Sequence, residues 1–169
     1  MADVRAILSD KALLFMNVTP KGANPTWALM NKGIESAEIA YNPKEAERHF
    51  IADTSATKLT TGLAKTLDQT QYAYKGDEVF EYVDDLIFEE AIGDDAITQI
   101  LEVFIYRTTD MSATSNIPSK VQNANISIAS KTLTGGEQMQ IGYNVNFSGN
   151  PSYGTASVVD GKAIFTEGS

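Results

Sequence analysis

The chain has 169 residues, 43% of them hydrophobic and 21% charged, with no cysteine. That length suits one domain, able to bury roughly two-thirds of its unfolded surface; the missing cysteine excludes a disulfide framework and a Cys-based zinc site. A formal net charge of −9 argues against tight nucleic-acid binding, because an acid-rich surface repels phosphate and offers no basic groove.

The first residues, Met1-Ala2-Asp3-Val4-Arg5, hold no basic segment ahead of an apolar one. No apolar run approaches the ~18 residues of a membrane helix. The expectation is a protein made in the cytoplasm that inserts in no membrane. Residues 12–18 and 26–30 are short apolar strands, residues 35–41 alternate, and residues 46–51 alternate more weakly. Residues 53–62 and 108–119 are rich in Ser and Thr and nearly free of apolar side chains. They read as irregular surface loops, or as segments that order only against a partner. Residues 65–74 form a further strand, ended by Gly76.

A helix follows over residues 77–92. Asp77 is its N-cap, and Glu78 places a carboxylate where the helix dipole favours one. Val79, Tyr82, Val83, Leu86 and Ile87 recur at helical spacing and make an apolar stripe. Glu81, Asp84, Asp85 and Glu89 take the other side, and Gly93 stands where a C′ glycine belongs. From Gly76 to Tyr106 there are ten acids and no Lys or Arg, whereas the remainder sets 12 acids against 13 bases. One segment therefore carries the whole acidity of the chain.

Residues 98–106 are β-branched and aromatic, a strand. Residues 123–133 pair with 139–147 across Thr134-Gly135-Gly136-Glu137, where the glycines permit positive φ. In the second of these strands Met139, Ile141, Tyr143, Val145 and Phe147 alternate with Gln138, Gln140, Gly142, Asn144, Asn146 and Ser148. Period-two alternation buries one face. The other face is polar yet uncharged, which suits contact with protein or a wall that something slides past; an ordinary solvated face has the same composition. Residues 149–154 read as a second turn, and residues 155–159 and 162–166 as a last hairpin around Asp160-Gly161, a type I′ pair. The fold class is α+β, predominantly antiparallel β: a single domain over residues 1–169, a two-sheet sandwich or barrel with one flanking amphipathic helix and long assembly loops.

Catalytic patterns are missing. His49 is the only histidine, and no Gly-x-Ser-x-Gly elbow exists. The doublets Asp84-Asp85, Glu89-Glu90 and Asp94-Asp95 lack the alternating geometry of a calcium loop. Gly135-Gly136 has no Lys-Ser/Thr after it and makes no phosphate loop. Trp27 and Tyr41 read as core aromatics rather than a ligand platform. The expectation is a non-enzymatic protein without metal or cofactor.

Three runs, in order, resemble phage major tail tube proteins. Tyr72-Ala73-Tyr74-Lys75-Gly76-Asp77-Glu78-Val79-Phe80-Glu81-Tyr82-Val83-Asp84-Asp85-Leu86 is similar to the strand-Gly-Asp-helix junction of that family. Glu47-Arg48-His49-Phe50-Ile51-Ala52-Asp53-Thr54, followed by Gly62-Leu63-Ala64, resembles its long loop or hairpin. Residues 141–151, then Gly154-Thr155-Ala156 and Ala163-Ile164-Phe165, resemble its closing strands. The resemblance implies a tail tube protein of a long-tailed, non-contractile phage or prophage, located in the virion tail. Its copies form rings, usually hexamers, that stack into a tube through which DNA passes without tight binding. Tape-measure, terminator and tail-tip proteins are the other implied partners.

On that resemblance the loop of residues 41–65 reaches the adjacent ring, with Lys44, Arg48, His49, Phe50 and Lys58 as its contact residues. Gln140, Asn144 and Asn146 face a neighbouring subunit or the lumen, and Glu81, Asp84 and Asp85 form an acidic helix face for basic groups of another copy. Two alternatives stand beside it. One is a tube of a phage-tail-like bacteriocin or type VI-like system; the other is a tail-tip or receptor-binding β-sandwich, which needs an exposed aromatic platform.

Overall fold

The computed structural model describes residues 3–168. Ten strands and one α-helix follow in order: β1 (Ala12–Asn17), β2 (Trp27–Leu29), β3 (Ile39–Ala40), β4 (Pro43–Arg48), β5 (Thr57–Leu63), β6 (Thr66–Tyr72), α1 (Glu78–Glu89), β7 (Ile97–Phe104), β8 (Ile117–Thr132), β9 (Gln140–Val159) and β10 (Lys162–Glu167). Eight strands make one antiparallel sheet in the order β10-β2-β1-β7-β8-β9-β6-β3, and β4 and β5 pair separately. Because β10 pairs with β9 as well as with β2, six strands return on themselves as a barrel. The expected fold class holds: mostly antiparallel β with a single flanking helix.

Alternation divides the core in two. Phe15, Trp27, Leu101, Val103, Ile117, Val121 and Ala156 pack together inside the barrel. Their strand neighbours Met16, Ala28 and Ile100 point the other way and join Leu67, Ile126, Ile141, Tyr143 and Val145 beneath Val79, Phe80, Val83 and Leu86 of α1. The helix docks by the stripe its periodicity defines. Asp77 caps it, with Oδ2 accepting from Phe80 N at 2.9 Å. The same oxygen accepts from Gln71 Nε2 at 2.9 Å, and Gln71 Oε1 accepts from Tyr143 OH at 3.1 Å. A buried polar chain thus ties the helix start to the sheet. Burial first, and the Asp77 charge second, push the Tyr143 phenol above its ordinary range.

Six expectations need correction. Residues 57–63 are not irregular: they form β5, paired with β4 from Pro43↔Leu63 to Arg48↔Thr57. Their Thr-rich composition favours extended backbone, and ladder bonds need no apolar side chains. Nor is the segment ending at Ser119 irregular throughout, since β8 begins at Ile117, which is fully buried in the barrel. Residues 149–154 make no turn. Strand β9 runs through them, opposite β8, with Gly149 at φ +70° and a register shift between Val121 and Asn123 absorbing the bend. Finally, α1 stops at Glu89, where Glu90 takes the left-handed conformation (φ 50°) and Ala91 N bonds back to Leu86 O; Gly93 opens a short 3-10 turn instead. Strand content in residues 35–41 shrinks to Ile39–Ala40, and β4 lies three residues earlier than expected.

Candidate assembly surface

The β4–β5 hairpin leaves the body of the molecule. No residue of either strand is buried. Its root is clamped: Asn42 at φ 43° donates from Nδ2 to Ala64 O at 3.0 Å and to Thr66 Oγ1 at 3.3 Å, and Ala64 N donates to Tyr41 O at 3.1 Å. At its tip Asp53 N donates to Phe50 O at 3.0 Å, and His49 Nε2 donates to Asp53 O at 2.8 Å. That bond gives His49 a local turn-holding task. Phe50 is 54% exposed and Ile51 fully so, with Leu59 and Leu63 exposed along the arm. A two-stranded ribbon without a core is marginal in water, because pairing alone scarcely offsets chain entropy.

Lys44, Arg48, His49, Phe50 and Lys58 all lie on this hairpin. Lys58 Nζ sits 3.8 Å from Glu47, its cross-strand neighbour. Lys44, Arg48 and Lys58 are matched by Glu45, Glu47 and Asp53, so the arm has no net charge.

Gln140, Asn144 and Asn146 lie on a wider face than one strand suggests, uncharged apart from Asp68. Register places Thr66, Asn146 and Asn125 in one row across β6, β9 and β8, and Asp68, Asn144 and Ser127 in the next. Asn146 Nδ2 donates to Ser127 Oγ at 3.0 Å, and Gln99 Nε2 on β7 donates to Asn123 Oδ1 at 3.3 Å. Of these side chains only Asp68 is ionisable. The opposite face of the same strands holds the core under α1.

On α1, Glu81 Oε1 accepts from Gly76 N at 3.0 Å and lies 3.9 Å from Lys75 Nζ, a second brace on the helix start. Asp84 and Asp85 make no ion pair among the described residues. Sequence reading missed Phe88 and Ile92, both almost fully exposed; Ile92 lines a groove of about 440 Å³ with Ile87, Ala91, Ile126 and Ile128. The signal was there in two apolar residues off the buried stripe, Phe88 in the last turn of α1 and Ile92 just beyond its end. Among the described residues no helix is long and apolar enough to cross a membrane.

No protein-family model matches the chain, and no curated protein matches its sequence. Solved structures do match in fold. The tail of an empty GTA particle with C6 symmetry superposes with a TM-score of 0.57 at 10% identity, over 88% of this chain and 98% of that one. The PVC sheath/tube terminator of an extracellular contractile injection system, in its extended state, gives a TM-score of 0.51 at 10% identity, over 90% and 99%. The fold class is therefore one found in components of tail-like particles. The likeness spans nearly the whole of each chain.

Proposed function

We propose that this chain is a non-enzymatic structural protein of a phage-like tail, whose copies close into rings and stack as a hollow tube for DNA ejection. Six copies per ring is the reading the C6 neighbour favours. The observation that carries the proposal is the β4–β5 hairpin, paired along its length with one bulge at Lys44/Glu45, apolar at its tip and without a single buried residue. Such an arm gains stability by lying on a second copy. A contact between an arm and a different surface is heterologous, and repeats as an open stack. The amide-and-hydroxyl face around Gln140, Asn144 and Asn146 supports a lumen wall or a subunit contact, since phosphate is held by Lys and Arg and this face has neither.

A terminator that ends a tube is the second reading, favoured by the likeness to the PVC terminator. The one tryptophan, Trp27, is only 5% exposed inside the barrel and offers a carbohydrate-binding sandwich no platform. Negative-stain microscopy of concentrated protein tests the choice. Tubes or stacked rings are expected; isolated single rings favour the terminator. Small discrete particles at every concentration would overturn assembly altogether.

A further inference from the structure

Near the hairpin root lies a buried charged cluster that the assembly reading leaves unused. The Lys65 side chain is 6% exposed, and its Nζ donates to Glu102 Oε1 and to Gln122 Oε1, each at 3.1 Å. Gln122 is held in turn by its Nε2, which donates to Gly149 O at 2.8 Å. Lys120 is the cross-strand partner of Glu102, its side chain 18% exposed. Its Nζ stands 3.8 Å from the same carboxylate oxygen, outside hydrogen-bond reach. Phe147 and Phe104 lie beside the two ammoniums, at 4.5 Å from Lys65 and 5.5 Å from Lys120.

Two cations thus share one carboxylate, a surplus of one positive charge in a place largely removed from water. Desolvated charge of that kind is costly until an opposite charge meets it. Next to the cluster is a cavity of about 270 Å³, walled by Tyr41, Lys65, Lys120, Gln122, Asn150 and Tyr153 among others, with no acidic side chain on its wall. We propose that this cavity is an anion site and that its occupant is a carboxylate presented by a second copy of the chain. The occupant rests on the self-assembly reading above; the anion site does not.

The supply of carboxylates is the stretch from Gly76 to Tyr106, where nine acids besides the buried Glu102 stand without a base. The hairpin cannot neutralise them, because its own charges cancel. The cavity can. An entering carboxylate meets the Lys120 ammonium, and a charge-assisted hydrogen bond in a partly buried pocket is stronger than one at the surface. Since Tyr41 and Lys65 stand at the two ends of the hairpin, filling the cavity also fixes the arm's root.

Lys120→Met separates this role from a merely structural ion pair. With the surplus charge gone, the dispersed protein should keep or raise its thermal midpoint, while the concentration needed for assembly rises about tenfold or more, as for loss of a buried charge contact. In parallel, the dispersed wild-type protein is titrated by NMR with sodium acetate and, separately, with inorganic phosphate at constant ionic strength. Saturable shifts of the Gly149, Asn150 and Tyr153 amides with acetate, lost in Lys120→Met, are expected, and acetate should compete with assembly. Saturable binding of either anion with assembly untouched by Lys120→Met would assign a free anion and overturn the second copy as source. No saturable shift with either anion would overturn the site itself. A wild-type protein that never assembles counts against the proposed function, and the titration then decides the anion site alone.

Discussion

Asp77 is the residue on which helix and sheet meet. Its Oδ2 serves both Phe80 N and Gln71 Nε2, and Gln71 carries Tyr143 at its other end. Asp77→Ala should therefore cost more than a cap, whose loss is worth about 1 kcal/mol. An unsatisfied buried donor adds about 1–3 kcal/mol; the sum, about 2–4 kcal/mol, is to be read from urea unfolding, and a loss of cap size alone would show that the buried chain adds nothing. Tyr143 sets a pH limit. Its folded phenol titrates above the ordinary value of about 10 because burial disfavours the phenolate. Above about pH 10 the unfolded chain loses that proton while the folded chain keeps it, so stability is full below pH 10 and falls by up to about 1.4 kcal/mol per pH unit above it. Denaturant midpoints from pH 8 to 11.5 in Tyr143→Phe should show a flatter alkaline decline than the wild type. Parallel declines would remove Tyr143 as the cause.

At the level of elements, the hairpin makes the clearest demand. With no buried residue in β4 or β5, replacing residues 44–62 by a short Gly-Ser link should leave the thermal midpoint of the body within a few degrees and abolish tubes or rings. Normal assembly by the shortened chain would show that the arm is not the joint. The acidic helix makes a second demand: Asp84→Lys with Asp85→Lys should hinder assembly, and wild-type tubes after the swap would exclude α1 as a contact. Sequence periodicity reveals α1 because its stripe and cap act locally, through Asp77, Val79, Val83 and Leu86. It misses β5 because Thr57–Leu63 buries no side chain and so shows no apolar face of regular alternation to betray it. Strand β6 shows the opposite difficulty. Gln69 and Gln71 take its buried face and Thr66, Asp68 and Thr70 the outer one, so hydropathy scarcely alternates. The ion cluster joins positions 65, 102 and 120, far apart in the chain, and its one local trace is Glu102, a lone acid within an apolar strand.

For the whole molecule, the governing quantity is a net charge of −9 on every copy. Copies that approach one another repel before any arm or pocket touches, and the repulsion reaches about 30 Å at 0.01 M salt but only about 10 Å at 0.1 M. The contacts proposed to hold copies together, an apolar arm and a mostly buried ammonium, would be screened much less once formed. Salt should accordingly act on rate more than on the finished product. Raising sodium chloride from about 0.01 M to 0.1 M should speed assembly, by light scattering, about tenfold or more, with tubes persisting after a return to low salt. The opposite sign, slower growth with added salt, would mean that exposed attractive pairs and not buried ones drive association. A rate indifferent to ionic strength would mean that the acidic surfaces lie far from every joint, and would shift the burden of assembly wholly onto the apolar tip of the hairpin.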